Sequence, residues 1–200
     1  QEPRQMAERR IEFQAPRVAQ PYVTRSYLAP ERDSGAQEDA AALTLLAEIL
    51  GGGTTSVMTE KLEFETRKAV SSGAFYGGTS LDDTTFNLYV VPAPGVTLED
   101  AETAMDEVIA EFLDTGVDQE QLDRIKMQVR ASQIYARDDV GRLANRYGRA
   151  LTQGLTVEDV QEWPEILQAV TADDIMSVAS KVFDRDSAVT GWLTAPEVTQ

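Results

Sequence analysis

The chain has 200 residues, a net charge of −16 and neither a histidine nor a cysteine. It therefore holds no imidazole base, no thiol nucleophile, no disulfide and neither of the side-chain types that zinc favours. The acidity opposes a nucleic-acid-binding stripe or attachment to an anionic membrane surface, and no apolar run has the length of a bilayer-spanning helix.

The remaining composition, 42% hydrophobic and 26% charged, is that of a globular domain with enough apolar surface for its own core. The opening Gln1-Glu2-Pro3-Arg4-Gln5 reads as a linker or a cut within a longer polypeptide, with no secretory leader. Residues 1–16 are assigned to that linker, 17–194 to a single domain and 195–200 to a polar tail.

Residues 9–14 alternate and predict a short strand; residues 21–29, rich in aromatic and β-branched types, predict a second. From 36 the period changes. Leu43, Leu46, Ala47 and Leu50 lie on one helical face, which Gly51-Gly52-Gly53 stops. A second helix is expected from Thr54 to about Glu65. Residues 69–76 and 84–91 predict a hairpin, with Phe86, Leu88 and Val90 on one side and Asn87, Tyr89 and Val91 on the other.

A helical half follows. Leu98, Ala101, Met105, Val108, Ile109 and Phe112 form an apolar stripe that ends at Gly116. Further helices are predicted over 118–138, 140–153, 156–169 and 171–183. Three of them open on Thr97, Thr156 and Thr171, each with an aspartate three residues on, as in a capping box with Asp in the Glu position. A final strand covers 187–193. Strands at both ends with helices between them predict one α+β domain: a mixed, mostly antiparallel sheet with helices packed on one face.

The candidate motifs favour structure over chemistry. Gly51 to Ser56 lacks the lysine of a phosphate loop and follows a helix. Asp82-Asp83 fits a turn and Asp138-Asp139 a helix junction; neither has the array of a calcium loop. Arg67 suits a substrate carboxylate or a pairing with Glu63 or Glu65, and the pairing is preferred. Arg124, Lys126, Arg130, Arg137, Arg142, Arg146 and Arg149 alternate with acids and read as a solvated face. A free-standing carboxylate–metal enzyme would have only oxygen ligands, and no acids are spaced for it.

The ordered phrases nevertheless resemble a family. They are Tyr27-Leu28-Ala29-Pro30, the run Ala40 to Gly52 followed by Thr55-Ser56, Leu62 through Tyr76, and Phe86-Asn87-Leu88-Tyr89. Gly116-Val117 with Leu122 and Lys126, and Thr171 to Ile175, complete the set. Over roughly 17–194 the chain resembles the non-zinc domain of the pitrilysin/insulinase (inverzincin) zinc metallopeptidases, which include the mitochondrial processing peptidase, and it looks most like the short bacterial members.

The resemblance implies two similar α+β halves closing around a peptide. One half carries His-x-x-Glu-His and a distal glutamate that hold zinc and activate water. This chain, lacking that motif, would be the other half: non-catalytic by itself and without a cofactor of its own. Its partner would be the zinc-bearing N-terminal half, in the same polypeptide or as a paired subunit, and the parent would hydrolyse peptides in the periplasm or cell envelope. An inactive scaffold of the same fold is the alternative. The family's assisting arginine and tyrosine, seven residues apart, fall here on Glu63 and Val70, so the pair is not carried over. Arg67 and Tyr76, nine apart, do not restore it. Glu63, Arg67, Val70 and Tyr76 are the candidate substrate contacts; no catalytic or metal-binding residue is assigned.

Overall fold

A computed structural model describes residues 5–136 and 139–195. Five strands form one sheet: β1 (Arg9–Gln14), β2 (Tyr22–Ala29), β3 (Ala69–Tyr76), β4 (Thr84–Pro92) and β5 (Ala188–Thr194). Their order is β1-β5-β2-β4-β3. The β1–β5 pair is parallel and the other three are antiparallel. The last strand thus returns to the sheet of the first ones, as the strand at each end of the chain implied, and it inserts between β1 and β2.

Six α-helices cover one side of the sheet: α1 (Glu38–Gly51), α2 (Leu98–Thr115), α3 (Gln119–Ala136), α4 (Val140–Thr152), α5 (Val157–Ala169) and α6 (Ala172–Val182). The strands alternate as a half-covered sheet requires. Val23, Tyr27, Phe86, Leu88 and Val90 turn under the helices and are buried. Tyr27 and Phe86 both meet the Phe183 ring edge-on, at 5.3 and 5.4 Å between centroids. Leu43, Leu46 and Leu50 of α1 and Met105, Val108 and Phe112 of α2 complete this core. α1 runs close against β3: a Cβ on Gly51 would lie 1.8 Å from the Ala74 nitrogen, so that glycine is a contact requirement as well as part of the helix stop.

Several expectations change. Residues 9–14 form the strand that their alternation predicted and add to the sheet as its parallel edge, although they had been grouped with the linker 1–16. The helix expected from Thr54 begins at Val57 and becomes a π-helix over Thr59–Glu65, because Gly53, at φ +111°, and the turn after it delay the start. The basic residues expected on a solvated face are divided. Lys126 Nζ donates to the carbonyls of Gln168 and Val170, satisfying the end of α5. Arg146 donates to the Val160 carbonyl at 3.2 Å. That carbonyl has no helical donor, because its partner four residues on is Pro164. Arg137 and Asp138 lie outside the described residues.

The threonine caps form as predicted. Thr97, Thr156 and Thr171 each accept from the backbone N–H three residues on, and the last two make full capping boxes with Asp159 and Asp174. Asp159 does more. It also accepts from Ser34 Oγ and the Gly35 amide, joining the loop before α1 to the start of α5. Burial raises its pKa, but these donors and those of Thr156 outweigh burial and hold the carboxyl down at about 2. Arg32 lies beside it, its guanidinium 3.9 Å from the Trp163 ring centre. Burial and the nearby Arg146 charge lower Arg32 to about 10.

Candidate functional site

The side of the sheet away from the helices is uncovered, and register defines what it presents. At one end, Phe13 lies beside Leu193, Leu193 beside Tyr22, and Val91 follows one step beyond the Val23–Val90 pair. These four make an apolar row across the strands. The next row contains Ile11, Gly191, Thr24, Tyr89 and Gly73, and a third contains Val189, Ser26, Asn87 and Phe75.

Phe13, Ile11 and Phe75 are 62, 58 and 54% exposed. A Cβ on Gly73 would meet the Tyr89 ring at 2.7 Å, so the tyrosine fills the space over the glycine backbone. Ser26 Oγ donates to Asn87 Oδ1 at 2.6 Å, tying two strands together without a charge. Among the strand positions turned to this side, Arg9 is the one charged residue. In a chain of net charge −16 that is a marked segregation.

The opposite side solves its polar problem differently. Arg25 of β2 is buried under α2, 1% exposed. Its Nη2 donates to Glu102 Oε1 at 2.6 Å, its Nη1 to Asp106 and its Nε to Thr190 Oγ1 at 2.9 Å. Glu102 also receives both Nη atoms of Arg10 and, at 2.7 Å, the Trp192 indole N–H. Arg185 donates to Asp106, closing the cluster. Burial pushes the Glu102 carboxyl up, but the hydrogen bonds from Arg10 and Trp192 and the Arg25 charge more than offset it, leaving the pKa below its ordinary value. This cluster fastens β1, β2 and β5 to α2. Every charge in it has a partner, so it is an internal clamp.

The sequence-predicted contacts fall in two places. Glu63, Arg67 and Val70 lie around the turn from the π-helix into β3, at the end of the sheet that carries the apolar row. Tyr76 lies at the other end of β3, about 20 Å away at roughly 3.3 Å per residue. It turns to the helix side, where it stacks on Phe86 at 6.4 Å and donates to the Pro30 carbonyl. Burial, with Glu31 and Asp39 nearby, raises its pKa.

Glu63 accepts from the Ser72 amide at 2.7 Å and its hydroxyl at 2.8 Å, so its carboxylate holds the helix to the strand. Val70 is 46% exposed at a register shift in β3. The preferred pairing of Arg67 with Glu63 or Glu65 does not form. Glu63 is taken by Ser72, and Glu65 pairs with Lys61 at 3.4 Å. Arg67 is exposed and in no ion pair among the described residues. It is also their one non-glycine residue at positive φ, +53°. Sequence reasoning missed the apolar row, because its members are neighbours only through register.

The chain's donor set does not fit zinc. It has no histidine or cysteine, and among the described residues no three acids converge as a metal group. The peptidase M16 inactive domain is the family whose profile matches, over residues 1–129.

The chain belongs to this family. A Rickettsia felis protein described as an uncharacterized zinc protease is 27% identical over 141 residues, covering 70% of this domain and 33% of that protein. The inactive domain therefore spans about a third of the relative's length. A Helicobacter pylori protease structure superposes with a TM-score of 0.88 at 20% identity, over 96% of this domain and 45% of that chain. The first half of the Escherichia coli periplasmic protease PqqL does so at 0.79 with 15% identity, over 98% of this domain and 44% of that chain. At these identities the two structures show the shared fold. Among the described residues no helix is long and apolar enough to cross a membrane.

Proposed function

We propose that this inactive domain is the substrate-enclosing half of a zinc endopeptidase that hydrolyses peptides, with zinc and the catalytic glutamate on a separate half. One observation supports the reading above the others: a broad, nearly uncharged sheet face is left uncovered while the rest of an acidic chain is charged or packed. Such a face suits the wall of a chamber holding an extended peptide, since it offers apolar contact and leaves backbone groups to pair elsewhere. In this reading Arg67 and Val70 contact the substrate. Glu63 and Tyr76 act one step back, by holding β3 in place.

The zinc-bearing half is proposed to belong to the same polypeptide or to a paired subunit, and the periplasm is the proposed compartment, supported by the likeness to PqqL. A catalytically silent scaffold of the same fold is the second reading. It is favoured by the engagement of Glu63 with Ser72 where the family's assisting arginine would stand.

The test is reconstitution. The chain alone should bind no stoichiometric zinc in calorimetry and cleave no peptide. Joined to its zinc-bearing half, it should give hydrolysis that a chelator abolishes. Chelator-sensitive hydrolysis by the chain alone would overturn the proposal, and an adjoining polypeptide without His-x-x-Glu-His would favour the scaffold.

A further inference from the structure

The five strands are not equally committed to the core. β2, β3, β4 and β5 each bury at least one apolar side chain, among them Val23, Ala69, Phe86 and Ala188. β1 buries none: all six of its residues are exposed, Ile11 and Phe13 included. Among the described residues β5 is its one strand neighbour. Removal of apolar surface from water therefore contributes little to holding β1 in place.

The anchors of β1 are polar. Arg10 donates through Nη1 and Nη2 to the two Glu102 oxygens at 2.9 and 2.6 Å, and its guanidinium lies 5.3 Å from the Trp192 ring centre. Glu8, just ahead of the strand, accepts from Thr190 Oγ1 at 3.1 Å and pairs with Arg185 at 3.3 Å. Gln5 Nε2 donates to the Ala188 carbonyl at 2.8 Å, and the Ala15 amide donates to the Thr194 carbonyl at 3.0 Å. A cavity of about 380 Å³ opens beside the Arg10–Glu102 pair, lined by Arg10, Glu99, Glu102, Asp106, Arg185 and Trp192. The Arg10 side chain is 45% exposed. An ion pair this close to water holds weakly and loosens with salt.

The charges are arranged so that β1 can leave. Arg10 and Glu8 are opposite charges and depart together. Arg25 and Arg185 stay behind with Glu102 and Asp106, joined by the pairs Arg25–Glu102, Arg25–Asp106 and Arg185–Asp106. The Trp192 indole still donates to Glu102. Breaking a buried cluster is costly when it strands a charge, and here none is stranded.

We propose that β1 is a latched strap: it leaves the edge of β5 and returns as a unit while the other four strands and the helices stay folded, with Arg10 as the latch. Its release frees the segment ahead of the strand and bares the edge of β5. The strap is a property of this domain's own strands and stands apart from the peptidase reading.

Amide hydrogen exchange of the 200-residue chain, followed by NMR with low urea added, separates local from global opening. The amides of residues 9–15 that bond to β5 should exchange together, at least about 100-fold faster than the β4 amides and with a much weaker dependence on urea. Arg10→Gln should speed the β1 amides a further ~5-fold and leave those of β4 unchanged, and Arg10→Lys should fall between. Raising salt from about 0.1 to about 0.5 M should speed the β1 amides of the unaltered chain in the same way, so the latch is tested even where a variant does not fold.

β1 amides that exchange at the β4 rate would show that the strand opens only with the whole domain. Rates graded from Arg9 to Gln14 would show fraying in place of a unit. Either result overturns the inference. So does an Arg10→Gln effect on β1 and β4 alike, or on neither, and so does β1 exchange that salt leaves unchanged.

Discussion

The two sides of one sheet handle polarity in opposite ways. Under the helices, Arg25, Glu102 and Asp106 bring full charges into a closed layer, and each is matched by partners from β1, β5, α2 and the turn before β5. On the open side, polar residues such as Ser26, Asn87 and Thr24 are neutral, and apolar rings lie in the open. Buried charges must be paired or they destabilise, so the first side is committed to the fold. Surface rings with no cover add little to stability, so the second side is available for contact. Substitutions should therefore cost stability on one side and function on the other.

The largest expected effect is on the clamp. Glu102→Gln leaves Arg25 buried and weakly compensated and releases Arg10 and Trp192, so urea unfolding should show a loss of about 3–5 kcal/mol. A loss under 1 kcal/mol would show the cluster to be incidental and blur the distinction between the two sides.

Asp159→Asn comes next, at about 1–2 kcal/mol, since it weakens a capping box and its bonds to the loop before α1. It also has a pH signature. The native carboxyl sits near 2 against an ordinary 3.8, so the native state holds its proton less tightly than the unfolded chain does. Its contribution is full above about pH 4 and fades as pH falls toward 2. The unfolding midpoint of the unaltered chain should therefore drop more steeply between those values than that of Asp159→Asn, and parallel curves would contradict the assignment.

The smallest effect is expected on the open side. Thr24→Ser and Phe13→Ser should each change stability by no more than about 0.5 kcal/mol, as surface positions do. A larger loss at Phe13 would mean that this ring packs against part of the fold.

Much of this architecture was legible in the sequence, for a physical reason. Period-two and period-3.6 patterns report burial on one side, and the buried side of β4, with Phe86, Leu88 and Val90, is the one its alternation indicated. The threonine caps were legible because a cap is a contact over three residues. The clamp was not, since Arg25 meets Glu102 across 77 positions and Thr190 across 165. Nor was the π-helix, because Met58 and Leu62 fit an ordinary helical face equally well.

Within the candidate site, Glu63 and Val70 were singled out by family resemblance and Arg67 by its charge, and the three do lie around one turn. Tyr76 was drawn in by spacing along the chain, although β3 carries it to the far end of the sheet and turns it to the core. The open apolar row needed the register of β1 against β5 and of β5 against β2, which no local pattern encodes.

The central claim is that the uncovered side of the sheet faces substrate. The direct test places the same change on two surfaces of the domain, joined to its proposed zinc-bearing half. Phe13 is 62% exposed on the open side, and Met127 is 71% exposed on α3. Phe13→Asp should lower kcat/KM for peptide substrates at least tenfold with the thermal midpoint unchanged, while Met127→Asp leaves both as they were. Equal kcat/KM for the two variants and the unaltered protein would contradict the account.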